Sequence, residues 1–426
     1  MTSHDTVALG LSLPLWSVLP FAGLLLAIAL FPLVAPSFWA RHFGKVCLGF
    51  GLPVAGYFLV NAPREMLHAV TDYVSFIVLL ASLFIISGGI LLRGTLRATP
   101  GVNCAALGAG AVLANVLGTT GASMLLIRPL LRANAHRKRA AHVVIFFIFI
   151  VSNIGGSLTA IGDPPLFLGY LKGVPFLWTL RSMWRLWLLT CGLVIGVFYL
   201  IDRRAHALEG VEAGDPAAIR EAPGAEEASR APFSIGGKFN LLLLAAVIGA
   251  VFLPTPYRET VMVAAAILSV WKTPVGVREG NEFTYHPIEE VAILFAGIFA
   301  TMIPALLILK ARGGVLGVTS PAQFFWASGG LSSFLDNAPT YLTFFSLAQG
   351  LGGTGLVAGV AQPILRAISA GSVFMGANTY IGNAPNFMVK AIAEEAGVRM
   401  PSFFGYMAWS CGVLLPVFGL VTLLFF

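Results

Sequence analysis

Residues 155–166 read GGSLTAIGDPPL and residues 375–386 read MGANTYIGNAPN. Setting IGDPP on IGNAP superposes Ile161 on Ile381, Gly162 on Gly382, Thr159 on Thr379 and Pro165 on Pro385, half a chain length apart. Upstream of each copy a second break interrupts an apolar segment, VLGTTGAS at 116–123 and FLDNAPTY at 334–341. Two halves that each carry two interrupted apolar segments at matching places predict a transporter built from repeats, with its binding site between them.

Composition sets the solvent. Hydrophobic residues make up 57% of the 426 and charged residues 11%, against about 25% charge in a soluble domain. Mean hydropathy is +0.86. The chain is a polytopic membrane protein, and at roughly 20 apolar residues per crossing it has room for about ten spans with shorter re-entrant pieces. Residues 1–10 hold only Asp5 and His4 and no basic leader region, so the first apolar run reads as a span. Cys47, Cys104, Cys191 and Cys411 lie in apolar runs without CxxC spacing and read as small buried hydrophobes. No basic stretch exceeds the RKR at 137–139, which excludes nucleic-acid binding.

Expected spans run near 13–34, 46–61, 73–93, 102–131 (broken at 118–121) and 186–201, then 239–253, 258–271, 288–309, 322–349 (broken) and 404–425. Segments 143–178 and 363–395 are expected to be re-entrant hairpins, because Gly-Gly and Asp-Pro-Pro stop a continuous helix. The first repeat then covers 1–201, a polar Ala/Glu/Gly/Pro/Arg linker 202–238, and the second repeat 239–426. Five crossings per half is odd, so the halves must be inverted. The fold class is all-α: two inverted repeats of about five spans, two re-entrant hairpins and two broken helices. Arg132, Arg137, Lys138 and Arg139 belong inside by the positive-inside rule, and Lys172, Arg181 and Arg185 are expected with them. Arg41, Lys45, Arg93 and Arg97 would then lie outside.

Of 19 acidic residues, Asp163 and Asp336 alone fall at the breaks. A carboxylate at membrane depth costs a few kcal/mol and reads as functional, here a proton- or cation-coupling group. The alternative for each is a helix cap. Around them Asn115, Thr119, Thr120, Ser123, Asn153, Ser157 and Thr159 in the first half, and Asn337, Thr340, Asn378, Thr379, Asn383 and Asn386 in the second, offer neutral oxygens suited to hard cations. Any one of them could instead be glue between helices. Arg128 and Lys390, near the breaks, are expected to snorkel to an interface.

SNIGGSLTAIGDPP at 152–165 and SSFLDNAPT at 332–340 resemble the signature segments of the ion transporter superfamily, with its NhaD-type sodium/proton antiporters, citrate transporters and melanosomal P-protein relatives. The superfamily's divalent-anion symporters carry Ser-Asn-Thr at both tips, where this chain has neither. The resemblance implies a homodimer with a scaffold and a transport domain that moves like an elevator. It implies sodium sites within 153–163 and 378–386, with Asn153, Asp163, Asn378 and Asn383 as ligands, and no other cofactor. It also implies a bacterial inner membrane.

Sodium/proton antiport, with Asp163 and Asp336 binding sodium when ionised and protons when empty, is the leading expectation. Sodium- or proton-coupled uptake of citrate or another small anion is the alternative. An intramembrane aspartyl protease would need two facing aspartates, but Pro164 and Pro165 follow Asp163 at once and Asn383 replaces it in the repeat. No enzyme is therefore expected. An uncoupled channel would show flux without saturation.

Overall fold

A computed structural model describes residues 3–93, 98–212, 234–315 and 317–426. The first half comprises α1 (Ser3–Ser12), α2 (Leu19–Val34), α3 (Pro36–Asn61), α4 (Pro63–Ser87), β1 (Leu91–Arg93), α5 (Pro100–Ala133), α6 (Ala141–Ile150), α7 (Pro164–Leu171) and α8 (Trp178–Glu212). The second comprises β2 (Ser234–Gly236), α9 (Phe239–Ala250), α10 (Tyr257–Lys272), α11 (Val275–Gly280), α12 (His286–Arg312), α13 (Pro321–Ser332), α14 (Asn337–Gln349), α15 (Gln362–Met375), α16 (Ala384–Glu395) and α17 (Phe403–Phe425). β1 pairs antiparallel with β2, a short clasp between the halves. Eight helical segments are long and apolar enough to cross a membrane, as an all-α polytopic protein requires.

Proline sets the joints. Ala35 and Ala62, each just before a proline, leave the helical region (φ −142° and −148°), so α2, α3 and α4 follow one another with almost no loop. Pro254 and Pro256 likewise divide the apolar run of 239–271, leaving α9 with 12 residues and α10 with 16. A 12-residue helix is about 18 Å long, so the expected full spans at 239–253 and 258–271 are two short helices that enter and return.

The identities of hairpins and broken spans are exchanged relative to expectation. Asn103 and Asn134, at the two ends of α5, exchange amide hydrogen bonds of 3.1 and 3.0 Å. In a continuous helix they would stand about 46 Å apart. The chain therefore doubles back at Gly118, whose φ of 75° and ψ of 156° only glycine adopts freely. α13 and α14 double back in the same way, with the rings of Phe324 and Phe344 6.3 Å apart. The re-entrant hairpins are thus α5 and the α13–α14 pair.

Segments 143–178 and 363–395 are the broken spans. His142, at the start of α6, lies beside Asp202 at the far end of α8, while Thr179 at the near end of α8 donates to the Leu158 carbonyl. Beyond the break, α7 ends at Lys172, paired with Asp72. On α4 Asp72 lies about 22 Å before Ser87, whereas the end of α5 meets the strand just after α4, where Arg132 donates to the Leu92 carbonyl. So α6 and α7 leave the break toward opposite faces. Pro164 and Pro165 stop one helix and open the next, without turning the chain back. The second copy runs along α17 in the same antiparallel manner: Tyr406 donates to the Ala377 carbonyl and Phe374 stacks on Phe418.

Two corrections follow. α8 continues to Glu212, so residues 202–212, expected in the linker, are helical; Ala, Leu, Arg and Glu lose apolarity without losing helix propensity. Residues 213–233 of that linker, and Arg97, lie outside the described residues. Charge is also redistributed. Arg93, Arg132 and Arg137 share one face with Arg41 and Lys45, which flank a Gly44 set against Ile293 early in α12. Lys172 and Arg181 lie toward the other. The first is called the basic face below.

α2, α3, α4, α9, α10 and α12 pack on one another as a frame, and α5–α8 with α13–α17 form a second unit that carries all four breaks.

Candidate functional site at the four chain breaks

Each hairpin tip is plugged into the broken span of its own half. In the first half the Thr119 amide donates to the Gly162 carbonyl (2.8 Å), Asn115 Nδ2 to the Gly155 carbonyl (2.7 Å), and the Leu158 amide to Asn115 Oδ1 (2.8 Å). Thr159 Oγ1 donates to the Asn115 carbonyl. In the second half Thr379 Oγ1 donates to the Ser333 carbonyl, Asn378 Nδ2 to Ser333 Oγ (2.9 Å) and Ser332 Oγ to the Ser372 carbonyl (2.6 Å). The two breaks share backbone shape: Thr159 and Thr379 have φ −130° and −137°, Asp163 and Asn383 φ −146° and −153°. A Cβ on Gly162 or Gly382 would collide with the carbonyl of Gly156 or Gly376, which is why glycine stands at both.

Asp163 is where the halves meet. Its carboxylate accepts from Thr119 Oγ1 (Oδ1, 2.6 Å), Asn337 Nδ2 (Oδ2, 2.6 Å) and Asn383 Nδ2 (Oδ1, 3.3 Å). It is 1% exposed. Thr119 and Asn337 are the residues directly after the two hairpin tips, and Asn383 is the counterpart of Asp163 in the repeat. One carboxylate thus gathers three of the four breaks. Asn383 Nδ2 also reaches the Ser152 carbonyl (3.0 Å) and Asn153 Oδ1 (3.2 Å), and Asn153 Nδ2 donates to Asn386 Oδ1 (2.7 Å). Asn386 in turn holds the carbonyls of Gly376 and Thr379.

The sequence itself keeps Asp163 free for this role. It stands at the N-cap of α7 but makes no side-chain cap bond, because the next two residues are prolines without N–H groups. Asp336 differs: it is half-buried and caps α14, accepting from the Ala338 amide at 3.0 Å. Asparagine caps as well as aspartate. Asp336→Asn should therefore leave transport largely intact, and Asp336→Ala should lower stability by about 1 kcal/mol, measured by thermal unfolding in detergent.

Other expected residues serve locally. Ser157 Oγ donates to the Ile154 carbonyl, Thr340 Oγ1 to the Asp336 carbonyl, and Ser123 pairs with Ser152. Of the expected sodium ligands, Asn153, Asp163 and Asn383 share one network, while Asn378 bonds Ser333 beside it. The Oδ1 atoms of Asn337 and Asn378 are buried without a hydrogen-bond partner, two oxygens a small hard cation would suit. Thr120 lines a narrow cleft of about 40 Å³ with Leu83, Phe84, Gly118, Pro164 and Ala384, open beside the first hairpin tip toward the frame. Arg128 pairs with Glu282 at 2.7 Å. Lys390 pairs with Glu394 and lies over the rings of Tyr380 and Phe387.

Sequence reasoning missed a second buried cluster. Asp202 accepts from Arg137, lies 2.8 Å from His142 Nε2 and 3.0 Å from Asn103 Nδ2, and is fully buried. It ties the open end of α5 to α6 and α8. The available signal was its position at the end of the apolar run FYLID, obscured by the polar residues that follow. Asp202→Ala removes the fully buried partner of Arg137, which keeps Glu209 at 3.1 Å, and should cost about 1–3 kcal/mol, read as a lowered unfolding temperature.

A search of curated proteins returns no match. The profile of a family described as "Putative citrate transport" matches residues 10–426, nearly the whole chain. With eight helical segments long and apolar enough to cross a membrane among the described residues, and a polar centre built at paired chain breaks, the chain belongs to that family of polytopic membrane transporters.

Proposed function

We propose that the protein is a cation-coupled secondary transporter and that its leading activity is sodium/proton antiport by alternating access. The observation that carries this reading is Asp163: a buried carboxylate at the meeting of the breaks, held only by neutral donors. Such a group can exchange its ligands. Ionised, it takes a sodium ion once Asn337 and Asn383 turn their amide oxygens inward; empty, it takes a proton. Among the described residues no basic side chain bonds it, so a proton or small cation is the natural counter-charge. The inverted halves and the division into a frame and a break-carrying unit suit an elevator motion of that unit, within a homodimer of frames. The accumulation of basic residues on one face orients that face to the cytoplasm.

A second reading is favoured by the family description and by the cleft. Carboxylate symport would seat citrate or a similar anion there, beside the N-termini of α7 and α16, with Asp163 holding the coupling ion.

Solid-supported-membrane electrophysiology on proteoliposomes separates the two. A sodium jump should evoke a pH-dependent current without any organic anion. A current that appears only with citrate present would move the function to symport and leave Asp163 as a coupling-ion ligand.

A further inference from the structure

Among the described residues, an ion pair joins the frame and the break-carrying unit toward each face. Lys172, at the end of α7, pairs with Asp72 of α4 away from the basic face, and Arg128, on the second arm of the α5 hairpin, pairs with Glu282 near the basic face. The second pair stands over the cleft. Arg128 follows Gly121, a cleft residue, by about 10 Å along the arm. Glu282 belongs to the turn that leads into Pro287 and Ile288, which line the same cleft, and its neighbour Phe283 packs its ring 5.3 Å from that of Phe84, another wall residue.

The two partners are mounted differently. The turn is fixed to the frame: Asn281 Nδ2 donates to the carbonyls of Gly88 and Ile90, and the Arg278 guanidinium lies 4.9 Å over the Phe283 ring. Arg128 rides on the hairpin, and its Nη1 is buried without a hydrogen-bond partner. Glu282 is 64% exposed, whereas Arg128 is 14% exposed. A half-exposed pair of this kind is worth little, so it can open in every cycle.

We propose that Arg128–Glu282 is the gate of the cleft on the basic face: closed, it holds the α5 arm against the frame turn, and broken, it admits solvent and ions to the first hairpin tip. The proposal rests on alternating access at this site, but its test needs no transport. A cysteine-free chain carrying Thr120→Cys is reconstituted into vesicles. Its labelling by a membrane-impermeant maleimide is timed separately from each side. Glu282→Gln should speed labelling from the basic face about two- to fivefold, the range an exposed ion pair supplies. The reversed pair Arg128→Glu with Glu282→Arg should restore the slow rate. An unchanged rate in Glu282→Gln, or acceleration from the other face only, would overturn the gate. Repeating the measurement in Asp163→Asn separates the ideas, since acceleration there supports the gate even if sodium currents never appear.

Discussion

Proteoliposomes carrying Asp163→Asn should respond to a sodium jump no more than empty liposomes do, at every pH, while the protein stays folded. The substitution keeps shape and removes the charge that Thr119, Asn337 and Asn383 surround. Folding survives because Asn337 can turn its amide and offer the Oδ1 that now lacks a partner to the new side-chain amide. Thr119 keeps its acceptor. The unfolding temperature in detergent should therefore lie within a few degrees of wild type. Asp163→Ala behaves differently, since it strands Thr119 and Asn337 as buried donors, each costing about 1–3 kcal/mol, while Asn383 keeps the Ser152 carbonyl and Asn153 Oδ1. Both variants should be silent, but only the alanine should melt early. A silent chain that is also unfolded as Asn would remove the coupling role. So would an Asn variant with the full pH-dependent current.

Gly118→Val should abolish transport by a different route. At φ 75° and ψ 156° the backbone occupies a region reserved almost wholly to glycine, and strain there costs about 1–3 kcal/mol even for small side chains. A Cβ at this place also comes within 3.3 Å of the Ile161 carbonyl. The tip must then withdraw from the first broken span, taking Thr119 away from Asp163. Gly108→Ala is the control, for a Cβ there meets nothing nearer than 4.0 Å and alanine favours the helix. It should melt at or slightly above the wild-type temperature. Circular dichroism melts and the sodium-jump current read both variants.

Much of this architecture was legible because broken helices leave marks. Gly-Thr-Thr-Gly at 118–121, Asp-Asn-Ala-Pro at 336–339 and the paired IGDPP and IGNAP segments located all four interruptions and their pairing between halves. Their direction was not legible. A proline or glycine that stops a helix says nothing of where the chain goes next; that is fixed by the φ of one glycine and by packing along α8 and α17, contacts remote in sequence. For the candidate site, a carboxylate at a break pointed to Asp163, which the structure sets among Thr119, Asn337 and Asn383. The same rule also chose Asp336, whose side chain the Ala338 amide claims, because Asn337 and Ala338 after it keep their N–H groups while Pro164 and Pro165 after Asp163 have none. Asp202 escaped because hydropathy ends where its helix does not.

The asymmetry between Asp163 and Asn383 has an electrical meaning. Had the duplicated segments stayed identical, the centre would hold two acids or none. On the mechanism proposed above, a single proton or sodium ion would neutralise Asp163, and the vacant carboxylate would be an anion. Its return across the bilayer then feels the membrane potential, at about 2.3 kcal/mol per 100 mV for a full charge. Voltage should set the speed of the vacant step and leave the loaded one nearly untouched.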